Sequence, residues 1–153
     1  MQDALQTFEI RTYGENQWRA TPHTKVAQQA AALASRLAQH GCTKRFVVSS
    51  VAEGYSLPLV YLAAWRIDAA VAPIDCEDRD DELADVIKRL DAAVVVCEAK
   101  DAERLGRLTP VPVLASLVVN EACAAPPVPF ASDAYAHCFF TSGSTGRPKG
   151  CLC

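Results

Sequence analysis

RFVVSSVAEGYSLPLVYLAAWRIDAAVAPIDCEDRDDELADVIKRLDAAVVVC, residues 45–97, alternates short β-branched runs with amphipathic stretches, and this alternation decides the fold. Arg45 to Val51 has the length and composition of a strand, and Pro58 to Ile67 carries Leu59, Leu62, Ala63 and Arg66 at helical spacing. Ala70 to Ile74 reads as a second strand. Asp80 to Leu90 places Leu83, Val86, Ile87 and Leu90 on one helical face, and Ala93 to Cys97 is apolar throughout, as strands covered on both faces are. The order predicts an α/β fold, a mostly parallel sheet with crossover helices.

Toward the amino end, Thr21-Pro22 supplies a hydroxyl able to cap a helix and a proline suited to its first position. Val26, Ala30, Leu33 and Leu37 then give a buried stripe that ends near Gly41. Before it, Phe8 to Tyr13 and Gln17 to Ala20 flank Gly14-Glu15-Asn16, which suits a small amino-terminal hairpin with a three-residue loop. Toward the carboxyl end come a weaker helix at Asp101 to Leu108, a short strand at Val111 to Leu114, and an extended proline-rich linker at Ala122 to Pro129. Ala134 to Phe140 is the last predicted strand, expected to extend the parallel sheet and leave an open edge.

The chain has 153 residues, half of them hydrophobic, enough for one sizeable core. Fifteen basic against 18 acidic residues, net −3, with no basic cluster, argues against nucleic acid as a partner. No apolar run approaches the roughly 18 residues of a membrane helix, and the first residues lack a signal core, so a cytoplasmic protein without a membrane span is expected. The seven cysteines show no paired metal-ligand spacing and read as free thiols, including Cys151 and Cys153. His23, His40 and His137 flank element ends and are assigned no catalysis, and Trp18, Trp65, Phe139 and Phe140 are read as packing residues.

The last predicted strand runs straight into TSGSTGRPKG, residues 141–150. Glycines let backbone amides approach an anion closely, hydroxyls donate to its oxygens, and Arg147 and Lys149 neutralise its charge, so polyphosphate is the natural guest. The stretch is not a Walker A motif, because Arg147 and Pro148 separate the lysine from Gly146 and no hydroxyl follows it.

The string FTSGSTGRPKG, residues 140–150, resembles the signature loop of the AMP-binding, adenylate-forming enzymes: acyl-CoA synthetases, luciferases and nonribosomal peptide synthetase adenylation domains. The upstream order of Leu37 to Gly41, Ala63 to Arg66 and Pro73-Ile74-Asp75 is similar to that family as well, so the resemblance covers most of residues 17–150. Asp68 stands where the family usually carries glycine, and Cys76 where a proline commonly follows the aspartate. The resemblance implies that residues 1–153 form the amino-terminal part of an adenylate-forming domain, the rest of that domain and the carboxy-terminal lid being absent. It implies ATP and Mg2+ as cofactors, a small carboxylic or amino acid as substrate, and coenzyme A or carrier-protein phosphopantetheine as thiol acceptor. Thr141, Ser142, Gly143, Ser144, Thr145, Gly146, Lys149 and Gly150 would then form the cofactor-binding set, with Ser144 and Thr145 as donors and Lys149 as a mobile charge. No catalytic residue and no metal ligand is assigned within the chain, which is expected to be inactive alone. The Ser-Gly-Ser-Thr-Gly wording leans toward amino-acid-activating relatives, and the alternative reading is a non-catalytic polyphosphate-binding or interaction module.

Overall fold

A computed structural model describes residues 9–14, 17–51, 56–115, 135–141 and 149–153. β1 (Glu9–Gly14) pairs antiparallel with β2 (Gln17–Pro22), forming the expected amino-terminal hairpin. Gly14 lies opposite Gln17, so the ladder closes on the two residues 15 and 16, not on three. Those two residues lie outside the described ones, as does the linker at 122–129. The Tyr13 and Trp18 rings meet edge to face across this ladder, 5.3 Å between centroids, and both are largely exposed.

α1 (His23–Gln39) buries Val26, Ala30, Leu33 and Leu37, the predicted stripe. Its start differs from expectation. Thr21 belongs to β2, opposite Ile10, and Pro22 is the N-cap at φ −58° and ψ 143°, with no side-chain cap. The hairpin ladder claims the backbone of Thr21, and the fixed φ of proline turns the chain into the helix. Gly41, at φ +72°, ends it in the left-handed conformation that glycine adopts without a Cβ penalty.

Four strands then build one parallel sheet in the order β4-β3-β5-β6: β3 (Phe46–Ser49), β4 (Ala70–Pro73), β5 (Val94–Val96) and β6 (Val113–Leu114). Connecting them are α2 (Ser56–Trp65), α3 (Asp80–Arg89) and α4 (Ala102–Leu108). Consecutive valines explain why the strand segments read as unbroken apolar runs. Val47 and Val94 enter the core beneath α1 and α2, with Leu33, Leu37 and Leu59, whereas Val48 and Val95 enter the core beneath α3 and α4, with Leu83, Ile87 and Leu105. A side-chain period of two sends neighbours to opposite faces, and both faces are covered. In α3, Asp80, Asp81 and Glu82 open the helix and Lys88 and Arg89 close it, the charge order that the helix dipole favours.

β7 (Cys138–Thr141) does not continue the parallel sheet by a ladder. It pairs antiparallel with β8 (Lys149–Leu152), an element absent from the expectation, and this hairpin docks on the β4 edge. Docking rests on one parallel bridge between Val71 and His137, in which Val71 N–H donates to the Ala136 carbonyl at 3.2 Å. Trp65 Nε1 donates to the same carbonyl at 3.0 Å. On the inner side of the hairpin, Cys138 and Phe140 pack against the α3–α4 core.

The turn between α2 and β4 holds Asp68 at φ +59°, with its carbonyl accepting from Lys44 N–H at 3.1 Å. Here the position where the family usually carries glycine requires the left-handed region, which costs an L-residue roughly 1–2 kcal/mol. Asp68 is also buried, and its Oδ1 has no hydrogen-bond partner. Asp68→Gly is therefore expected to raise folding stability by about 1 kcal/mol, after the extra chain entropy of glycine is set against relief of both penalties. Urea unfolding checks this, and an unchanged or lowered midpoint would reject the account.

Candidate phosphate-binding hairpin and the sheet edge

The backbone places the predicted phosphate-binding stretch across the open end of a hairpin. Thr141 at the end of β7 pairs with Lys149 at the start of β8, so residues 142–148 connect two cross-strand neighbours. The parallel bridge gives β7 the direction of β4, which sets Thr141 and Lys149 at the carboxyl-terminal edge of the parallel sheet. Ser142, Gly143, Ser144, Thr145 and Gly146 lie outside the described residues, and so does Arg147.

Gly150 stands opposite Phe140 within β8. A Cβ there would sit 3.0 Å from Cys138 Sγ and 3.4 Å from the Phe140 ring. The side chains that anchor the hairpin to the core thus crowd this position, so a Cβ there would push Cys138 or Phe140 aside by a few tenths of an ångström, which gives Gly150 a packing role.

The same sheet edge carries a cleft of about 820 Å3, lined by the ends of β3, β4 and β5 and by the segments that follow them. Ser49 and Ser50 come from β3 and its continuation, Asp75, Cys76 and Glu77 follow β4, and Glu98, Lys100, Asp101 and Arg104 follow β5. Arg104 clamps the cleft wall. Its Nε donates to Asp80 Oδ1 at 2.7 Å, Nη2 to the Asp78 carbonyl at 2.8 Å, and Nη1 to the Cys76 carbonyl. Asp75 Oδ1 accepts from Glu77 N–H at 2.9 Å, fixing the turn before α3. Burial pushes the Cys76 thiol up, and the adjacent Ser50 hydroxyl pulls the other way, yet Ser50 Oγ has no partner in bonding geometry. Sequence reasoning missed Ser49, Ser50 and Glu98, which only the strand order brings to one cleft.

His23 starts α1, His40 follows its last turn, and His137 stacks edge to face with Phe139, 4.2 Å between centroids. Trp65 is partly buried at the hairpin junction, whereas Trp18 and Phe139 are exposed. Cys42, Cys76, Cys97, Cys138, Cys151 and Cys153 are free thiols. Among the described residues no three His, Cys, Asp or Glu side chains come together as a metal site, and no helix is long and apolar enough to cross a membrane.

A family model described as AMP-binding enzyme matches residues 4–153. Malformin synthetase of Aspergillus brasiliensis is 30% identical over 127 residues, covering 78% of this chain and 2% of that protein. The N-(5-amino-5-carboxypentanoyl)-L-cysteinyl-D-valine synthase of Amycolatopsis lactamdurans is 35% identical over 96 residues, covering 60% of this chain and 3% of that protein. This chain therefore spans a small part of the curated relatives it matches. Among solved structures, the fatty acyl-adenylate ligase from L. pneumophila in complex with acyl adenylate and pyrophosphate superposes with TM-score 0.77 at 21% identity, covering 94% of this chain and 27% of that one. ATP-bound MatB from Rhodopseudomonas palustris gives 0.77 at 20% identity, covering 88% of this chain and 29% of that one. These likenesses establish the fold.

Proposed function

This chain belongs to the AMP-binding enzyme family, and from that premise we propose that it supplies the pyrophosphate-binding part of an enzyme that activates a carboxylic or amino acid as its acyl-adenylate. The observation that carries the reading is the Thr141–Lys149 pair, which fixes both ends of the glycine- and hydroxyl-rich stretch at the carboxyl edge of the sheet. A further relative, the nonribosomal peptide synthetase otaB of Aspergillus carbonarius, 28% identical over 131 residues, supports an amino acid as substrate and a carrier-protein thiol as acceptor.

In this reaction the substrate carboxylate attacks the α-phosphate of ATP, the bond to the β-phosphate breaks, and pyrophosphate leaves. The acyl-adenylate then passes its acyl group to a thiol and releases AMP. Residues 141–150 act on the leaving group. By residue type, the hydroxyls of Ser142, Ser144 and Thr145 suit donation to β- and γ-phosphate oxygens, the glycines let backbone approach them, and Lys149 would offset their charge as it grows. Mg2+ carried with the nucleotide would supply further charge neutralisation on the phosphates. Rate acceleration here comes from alignment and electrostatics, not from a nucleophile on the chain.

Isothermal titration of Mg·ATP and of pyrophosphate tests the assignment. Lys149→Ala is expected to weaken both by about tenfold to a hundredfold, the loss of one charge-assisted contact. Equal affinity in parent and variant would overturn the assigned role of the stretch.

A further inference from the structure

The hairpin of β7 and β8 meets the parallel sheet at the isolated bridge between Val71 and His137, not along a ladder. A strand held at one point can swing about it. At about 3.3 Å per residue, Thr141 lies roughly 16 Å along the strand from Ala136, so a swing of about 10° would carry it about 3 Å sideways. Alignment of reacting groups is sensitive to displacements of about 1 Å. Whatever sets the angle of β7 therefore sets where Thr141 and, across the ladder, Lys149 stand.

One oxygen at the bridge takes donors from two elements. The Ala136 carbonyl accepts from Val71 N–H of β4 at 3.2 Å and from Trp65 Nε1, on the last residue of α2, at 3.0 Å. A carbonyl has two lone pairs, and the two bonds arrive from different directions, which fixes orientation as well as place. The donors move as one unit, because the turn between them is tied down: the Ala64 carbonyl accepts from Ile67 and Ala69 N–H, each at 3.0 Å. Trp65 is itself held by Tyr61, edge to face at 5.3 Å between centroids, and the Tyr61 ring meets His137 at 6.4 Å. On the opposite face of β7 the Arg89 guanidinium lies over the Phe140 ring, 5.9 Å from its centroid. Packing alone asks for an aromatic ring at position 65, whereas the aligned N–H is a further feature with a partner of its own.

We propose that Trp65 is a positioning residue for the phosphate-binding stretch, its indole N–H setting the angle at which β7 delivers Thr141 and Lys149 to the carboxyl edge of the sheet. This rests on the reading of residues 141–150 as the pyrophosphate site. Trp65 touches no phosphate; it acts through the Ala136 carbonyl.

Trp65→Phe keeps an aromatic ring beside Tyr61 and removes the donor. In the variant, hydrogen exchange of the Val71 amide is expected to speed up about fivefold, the loss of one hydrogen bond, while that of Val95, on the far side of β3, keeps the parental rate. Affinity for Mg·pyrophosphate should fall about threefold to tenfold. In the parent, the indole 15N–1H cross-peak of Trp65 should shift saturably with pyrophosphate and that of Trp18 should stay in place, the variant itself assigning the two peaks. A residue that serves packing alone would leave both peaks unmoved. With a parent that binds pyrophosphate, an unchanged Val71 rate, equal acceleration at Val95, undiminished affinity in the variant or an unmoved Trp65 indole would overturn the positioning role. A parent that binds no pyrophosphate would overturn the reading of residues 141–150, and this proposal with it, so the two failures are told apart.

Discussion

Raising the pH through the window from 9 to about 11 is expected to remove about 5 kcal/mol of folding stability. Cys42 and Cys97 are fully buried, and both thiols are pushed from 9.0 up to about 11. For Cys42 the cause is burial, opposed by Arg45, and for Cys97 it is burial first and then the charges of Cys76, Asp101 and Glu98. A raised folded pKa means that the unfolded chain releases its thiol protons first. The contribution is therefore complete below pH 9 and is lost as the pH rises through the folded value of about 11. Two units on each thiol, at about 1.36 kcal/mol per unit, give the figure. Urea midpoints measured across this range, for the parent and for Cys42→Ala, isolate the effect from lysine and tyrosine titration. The variant should lose the Cys42 share of the fall, about 3 kcal/mol, and parallel curves for the two proteins would refute the assignment to Cys42.

Leu33→Ala is expected to destabilise the chain by about 3–5 kcal/mol, the range for a large-to-small change in a core that cannot collapse. Leu33 is 0% exposed and belongs to the core shared by α1, α2, β3 and β5. Against the roughly 5–15 kcal/mol total of a domain, this is a large fraction. Gln28→Ala, on the exposed side of the same helix, is the control and should stay within about 0.5 kcal/mol. A loss at Leu33 no larger than at Gln28 in chemical denaturation would show that the α1 stripe does not anchor the sheet.

The parallel part of the fold was legible because its chemistry is local and redundant. Val47-Val48 and Val94-Val95-Val96 can be satisfied only by a sheet buried on both sides, and the stripe through Val26, Ala30, Leu33 and Leu37 has one period. β8 was not legible. Lys149-Gly150-Cys151-Leu152 has neither alternation nor β-branched residues, and it is a strand because β7 offers it an antiparallel partner. The strand role of Thr21 was hidden in the same way, since local capping preference competes with a ladder whose register is set by Ile10 on the other strand. Of the phosphate-binding set, the structure describes the flanking pair and Gly150, while chemistry in the stretch between them was read from residue types. The cleft residues Ser49, Ser50 and Glu98 carry no motif. Two hydroxyls in succession at a strand end were the available signal, and they gain meaning only from the order β4-β3-β5.

The crowding around Gly150 bears on what a signature can be trusted to report. Along residues 141–150 the letters answer to two different readers. Hydroxyls and the lysine answer to a ligand, whereas Gly150 answers to Cys138 and Phe140 on the adjoining strand. A homologue that kept the glycine but lost the lysine would preserve a shape without its chemistry. One with a larger residue at 150 and a smaller one at 138 could preserve the chemistry under altered spelling. Covariation between positions 138 and 150 is thus a criterion of fold, and variation at 149 a criterion of activity.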